Sequence, residues 1–289
     1  MELDNLKAFI RVSETGSFSR AAERLFITQP AVSKRISALE SELKTSLFDR
    51  IGHTITLTEA GKALMPRAHR ILLEVEDCRR AVSNLSGEIS GSLKIGTSHH
   101  IGLHRLPPVL RRFIQDNPAV QPNIQFMDSE EACNAVVHGE LELGIVTLPL
   151  SPDRVLALQP IWHDPLVIVA RCDHPLMSVK KLNVQKLAEH SAILPATGTF
   201  TREVLERTLQ PFNIELNVGM STNYLETIKM LVSVGLGWSV LPESMLDKDV
   251  CQVKIKQLQM ERSLGIVSHV ERTLSNPARA LMRLLKESV

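Results

Sequence analysis

Residues 18–40, FSRAAERLFITQPAVSKRISALE, hold two short helical patterns with a break between them. Phe18, Ala21, Ala22 and Leu25 follow the i, i+3, i+4, i+7 spacing of a half-buried helix, and Ser17 stands where it can cap it. Val32, Ile36, Leu39 and Leu43 share one face of the second helix. Thr28 sits at its N-cap, and Pro30 falls in the first turn, where a missing N–H is no loss. Gln29, Ser33, Lys34 and Ser37 are left facing outward. A helix, a turn and a second helix with a small-polar outer face suits entry of the second helix into the major groove of duplex DNA. Gln29 and Ser33 can hydrogen-bond base edges, Lys34 can reach guanine or phosphate, and Pro30 and Ala31 keep the leading turn slim.

The flanks strengthen this reading. Leu3, Leu6, Phe9 and Ile10 mark a third amphipathic helix that ends at Gly16, a natural residue just past a helix C-terminus. Residues 47–58, LFDRIGHTITLT, predict two short strands around a Gly52-His53 tip, a wing on which Arg50 and His53 can reach phosphate. Beyond Thr58, the residues Leu64, Ala68, Ile71, Val75, Cys78, Val82 and Leu85 fall at alternating steps of four and three. That heptad seam predicts a helix that pairs with a second copy, so that two recognition helices read two half-sites.

Composition bounds the rest. The 289 residues carry a net charge of +1, which gives no global attraction to nucleic acid, but residues 1–70 hold eleven Lys or Arg against eight Asp or Glu. Aromatics at 4% argue against a binder that stacks single-stranded bases. The N-terminus has no apolar run long enough for a signal peptide or a membrane span, so a cytoplasmic protein without membrane contact is expected. Cys78, Cys133, Cys172 and Cys251 lack C-x-x-C spacing and read as thiols.

The stretches LKAFIRVSETGSFSRAAERLFITQPAVSKRISALESELKTSLFDR and LTEAGKALMPRA resemble the LysR-type transcriptional regulators. The resemblance implies a multidomain chain: a winged helix-turn-helix, a long linker helix that pairs antiparallel with its partner, and a two-lobed α/β effector domain of periplasmic-binding-protein type. It carries DNA contact to Gln29, Pro30, Ser33 and Lys34, and it implies a homotetramer.

Residues 83–92, SNLSGEISGS, are small, polar and glycine-bearing, as a hinge is. The expected division is a DNA-binding domain over 1–58, a linker helix over 59–87, a hinge over 88–92 and an effector domain over 93–289. Its first lobe is expected over about 93–162 and 268–289, and its second over about 163–267. Within it short apolar strands alternate with helices, which predicts mostly parallel sheets and a ligand cleft at their carboxyl ends. Three strand-to-helix junctions carry suitable polar groups: Thr97, Ser98 and His99; Asp128 and Ser129; and Thr197 to Thr201. GELELGIVTLP and LVSVGLGWSVLPESML extend the resemblance, which implies effector contacts at Ser98, Ser129, Thr147, Thr199 and Phe200.

The expected function is therefore a sequence-specific regulator of transcription whose DNA binding or bending responds to a small effector, an organic anion or an amino acid. Its partners are duplex DNA, the effector, further copies of itself and, as an additional candidate, RNA polymerase; no cofactor and no metal is expected. A cytoplasmic solute-binding receptor shares the two-lobed pattern but would not need the N-terminal helices. A metal-responsive regulator would use His99, His100 and His104, the last two at i, i+4. No G-x-S-x-G, P-loop or G-x-G-x-x-G is present, so an enzyme is not expected.

Overall fold

A computed structural model describes residues 1–51, 54–179, 181–256 and 258–288, with the backbone alone at 50, 51 and 54. The chain forms two compact units, residues 1–85 and 86–289. His53 lies outside the described residues, as does the side chain of Arg50.

In the first unit α1 (Leu3–Thr15) buries Leu6, Phe9, Ile10 and Val12 and stops at Gly16, whose φ of 59° continues no helix. Helix α2 (Phe18–Leu25) is capped by the Ser17 hydroxyl, which accepts from the Arg20 N–H. Helix α3 (Gln29–Leu43) is capped by Thr28, with Pro30 in its first turn, and buries Val32, Ile36 and Leu39. Leu43, expected on that face, is largely exposed. Strands β1 (Phe48–Ile51) and β2 (Thr54–Leu57) pair antiparallel as the wing. Phe48 stands 5.4 Å from Phe9 and 6.1 Å from Phe18, ring to ring, and so seats the wing on the three-helix core. Helix α4 (Glu59–Asn84) begins against that wing. A methyl group on Gly61 would come within 2.3 Å of the Leu47 carbonyl oxygen, so only glycine allows this approach.

The second unit is built on a seven-stranded sheet. Strands β3 (Gly91–Thr97), β4 (Val120–Phe126) and β5 (Leu143–Thr147) run parallel, with α5 (His99–His104), α6 (Leu106–Asp116) and α7 (Ser129–Val137) following β3 and β4. The rest of this sheet is antiparallel, contrary to expectation. The long strands β6 (Leu156–Arg171) and β11 (Met260–His269) pair with each other, β11 pairs with β5, and β9 (Ser239–Pro242) and β10 (Val250–Gln252) flank β6. Pro160 and Pro165 both fall inside β6. Pro160 stands at a bulge opposite Gly265, whose missing side chain leaves room for the Gln159 carbonyl, whereas Pro165 keeps regular register with Glu261, one residue before β6 takes up β9 at Leu166.

These two long strands tie two cores together. Ile161, Leu264 and Ile266 belong to a core with β3, α6 and α11 (Asn276–Glu287). Leu166, Ile168 and Met260 belong to another, with α8 (Val184–Ala188), β7 (Ala192–Leu194) and α9 (Phe200–Leu209). The return crossing therefore falls at 261–263, earlier than the expected 267, because Leu264 already packs in the first lobe. Strand β8 (Val218–Ser221) pairs parallel with β7, and α10 (Leu225–Ser233) covers the second lobe.

The cysteines also depart from expectation. Cys172 and Cys251 lie at the paired ends of β6 and β10 and form a disulfide, with Cα atoms 5.0 Å apart. Their separation of 79 residues hid a contact that only sheet pairing creates. Cys78 and Cys133 are free, and burial pushes the Cys133 thiol up to about 12. Among the described residues no helix is long and apolar enough to cross a membrane.

Candidate nucleic-acid interface and effector cleft

On α3 the outward residues stand as the period requires. Gln29, Pro30, Lys34 and Ser37 are exposed and Ser33 is half-buried. The Gln29 amide donates to the Ser33 hydroxyl at 3.0 Å, which holds the two polar groups side by side. Arg35 is tied to Asp4 of α1 at 3.0 Å, whereas Lys34 makes no ion pair among the described residues. One cation of this dipeptide fastens the helix to α1 and the other projects outward.

The linker seam divides. Leu64, Ala68 and Ile71 pack on the core of their own unit, while Cys78, Val82 and Leu85 are exposed and Val75 is half-buried. A heptad pattern does not say which of its residues a domain covers for itself.

In the second unit a pocket opens between the lobes where the junctions before α5, α7, α9 and α10 converge. Ser98, His99, Ser129, Thr147 and Thr199 are among the residues that line it. Ser98, Asp128 and Thr199 precede helices in cap geometry, yet none makes a side-chain cap, whereas Ser17, Thr28, Thr58 and Ser275 all do elsewhere. The Thr199 hydroxyl and the Asp128 carboxylate are directed elsewhere. Thr199 donates to the Ala196 carbonyl at 2.8 Å, Ser129 accepts from the Thr147 N–H at 3.1 Å, and Asp128 accepts from the Asn223 amide of the other lobe. The Phe200 N–H at the start of α9 donates to the Glu130 carboxylate. Burial pushes the Glu130 carboxyl above its ordinary value, and that N–H works against the shift.

Two expected residues are elsewhere. Thr97 is fully buried, and its hydroxyl is spent on the Ile145 carbonyl at 2.8 Å, inside the sheet. The Phe200 ring packs on the apolar cluster of Ala132, Cys133 and Val136, so its backbone rather than its side chain faces the junction. His99 lies between the rings of Phe126 and Tyr224, at 5.3 and 4.7 Å, and does not join His100 and His104 as a third ligand.

The residue that sequence reasoning missed is Arg262. It pairs in register with Asp164 where β11 and β6 cross between the lobes. Its Nε donates to Asp164 at 2.8 Å and its Nη1 to the Thr201 hydroxyl at 2.7 Å. Arg105 also reaches Asp164, at 3.4 Å. Burial pushes the Arg262 guanidinium below its ordinary value and Asp164 opposes the shift. The remaining Nη2 is buried and has no partner among the described residues, and Arg262 is one of the residues that line the pocket. A buried unpaired donor on a charged group is costly, so its retention needs an explanation. The signal was present in the sequence: Arg262, Leu264 and Ile266 share the parity of one strand face, but this strand was not recognised.

Comparison with known proteins adds the following. Residues 3–62 match the model of the bacterial regulatory helix-turn-helix protein, lysR family, and residues 86–289 match that of the LysR substrate binding domain. An uncharacterized HTH-type transcriptional regulator in the ibpB-leuC intergenic region of Azotobacter vinelandii is 66% identical over 108 residues, covering 37% of this chain and 75% of that one. A probable RuBisCO transcriptional regulator of Trieres chinensis is 30% identical over 281 residues, 93% of this chain and 91% of that one. Among solved structures, the effector binding domain of QuiR in complex with shikimate aligns with a TM-score of 0.62 at 18% identity, over 68% of this chain and 96% of that one.

Proposed function

Because the chain belongs to the LysR family, and is thus a DNA-binding transcriptional regulator with an effector-binding domain, we propose that its effector is a small organic anion held in the cleft by Arg262. The unpartnered Nη2 carries this reading. Around it, the uncapped N–H groups at the start of α7 and the free Ser98 hydroxyl supply further donors to a carboxylate. An amino acid is disfavoured because Asp128, the group suited to its ammonium, is already bound by Asn223. The shikimate of the QuiR complex is itself a carboxylate, in keeping with this class.

The effector contacts both lobes, so it changes how they close rather than touching DNA. Operator contact falls to Gln29, Pro30, Ser33, Lys34 and Ser37, with Arg50 and His53 of the wing on phosphate. The assembly is a cytoplasmic homodimer joined through Cys78, Val82 and Leu85, paired again into a tetramer through the second units, with RNA polymerase as a further partner.

Calorimetric titration with a panel of carboxylates tests the cleft. Ser98→Ala should weaken the effector about 10- to 100-fold, the value of a hydrogen bond to a charged group, and leave DNA affinity without effector unchanged. Equal binding to both proteins would move the pocket elsewhere. At the DNA, Lys34→Ala should lower affinity across operator sequences alike and reduce the salt slope by about one unit. An unchanged slope in a salt series would remove Lys34 from the phosphate contacts.

A further inference from the structure

Beside the anion pocket, α5 and α10 bring three metal-ligating side chains together from the two lobes. His100 Nδ1 lies 3.2 Å and His104 Nε2 3.0 Å from the same oxygen, Oε1 of Glu226. The i, i+4 spacing sets both imidazoles on one helix face, with ring centres 4.8 Å apart. The two imidazole-to-carboxylate separations match the edges of a coordination polyhedron, about 2.9–3.4 Å for bonds of about 2.0–2.1 Å. All three ligand atoms lie within 4.8 Å of one another, so that a small closing of the two rings completes the set. His104 and Glu226 are partly exposed, which leaves the remaining coordination positions open to water.

The other nitrogen of His100 supplies a second, independent observation. Nε2 is buried and has no partner among the described residues, and His100 is one of the residues that line the anion pocket. If the ring proton is on Nδ1, it satisfies Glu226 but leaves a lone pair buried in the pocket. If the proton is on Nε2, the Nδ1 lone pair faces a carboxylate, which is repulsive. Neither tautomer satisfies the ring by itself. A cation on Nδ1 removes the repulsion: the lone pair binds it, Glu226 becomes a co-ligand, and the ring proton is left on Nε2, where it is available to an anion in the pocket.

We propose that His100, His104 and Glu226 form a site for one divalent transition-metal ion of the zinc, cobalt and nickel group. Two imidazoles and one carboxylate suit these ions better than magnesium or calcium, which prefer all-oxygen sites. The ion ties α5 to α10 across the cleft and fixes the His100 tautomer that donates toward an anion beside Arg262. Metal and anionic effector therefore strengthen each other's binding by the same factor. This coupling rests on the anion reading of the cleft; the metal site itself does not.

The test is titration of the full chain with Co²⁺, read by its visible absorption, which reports histidine ligation without any effector or DNA. One equivalent should develop the bands. His104→Ala and Glu226→Gln should each weaken binding by at least about 10- to 100-fold, the range for loss of even an outer-sphere partner. His163→Ala, which changes an exposed histidine elsewhere, should leave the titration as in wild type. His104 is half exposed, so its variant stays folded, as tryptophan fluorescence will verify. Absence of bands at one equivalent, or equal affinity in wild type and His104→Ala, overturns the site. If cobalt binds as expected but no carboxylate does, the metal site stands and the anion reading falls.

Discussion

Arg262→Met should destabilise the second unit by about 3–5 kcal/mol, because it leaves Asp164 buried without its main counter-charge. Asp164 is 1% exposed, and the Arg105 contact that would remain is long at 3.4 Å, so little of the loss is recovered locally. Thr201 loses the donor on its hydroxyl as well. The double variant Arg262→Met with Asp164→Leu removes both charges and should regain most of the stability, since an apolar pair of similar volume commonly replaces a buried ion pair at little cost. It should not regain effector binding, because no guanidinium then faces the pocket. Both tryptophans of the chain, Trp162 and Trp238, lie in this unit, so their fluorescence during urea unfolding reports it alone. A loss below about 1 kcal/mol in the single variant would show that the pair is not the buried clasp described. Effector binding retained in the double variant would remove Arg262 from the site.

The second large effect is at the linker. Val82→Asp with Leu85→Asp should abolish dimerisation and lower operator affinity by about 10²- to 10⁴-fold, the value of linking two binding modules. Val82 is 71% and Leu85 86% exposed in the single chain, so the charges cost the isolated subunit almost nothing. In a helix pair they would be buried unpaired, at several kcal/mol. Ile71→Asp, which the heptad pattern alone would recommend, is the wrong probe. Ile71 packs on the core of its own unit, so that change would unfold the winged domain and mimic loss of the dimer. Sedimentation of the double variant should give a monomer with unchanged helix content. A dimer with full DNA affinity would place the subunit contact elsewhere.

The local rules carried the sequence reading far in the first unit. The caps at Ser17 and Thr28, the stop at Gly16 and the outward residues of α3 depend on neighbours within one or two helical turns. The same locality explains why the junctions at Ser98, Ser129 and Thr199 were legible: a polar residue between an apolar strand and a helix marks its own place. What the sequence determined by itself is thus the winged helix-turn-helix, the two-lobed α/β pattern and the strand-to-helix junctions at Ser98, Ser129 and Thr199. Tertiary structure alone decided the rest, since it depends on residues far apart in the chain. The Arg262–Asp164 pair spans 98 residues and the meeting of His100 with Glu226 spans 126. Which half of the linker seam is left for a partner, and which hydroxyls are spent inside the sheet, follow from packing. The antiparallel course of β6 and β11 is likewise a property of pairing between distant strands, whose prolines and lone arginine read as interruptions until the ladder that accommodates them is formed.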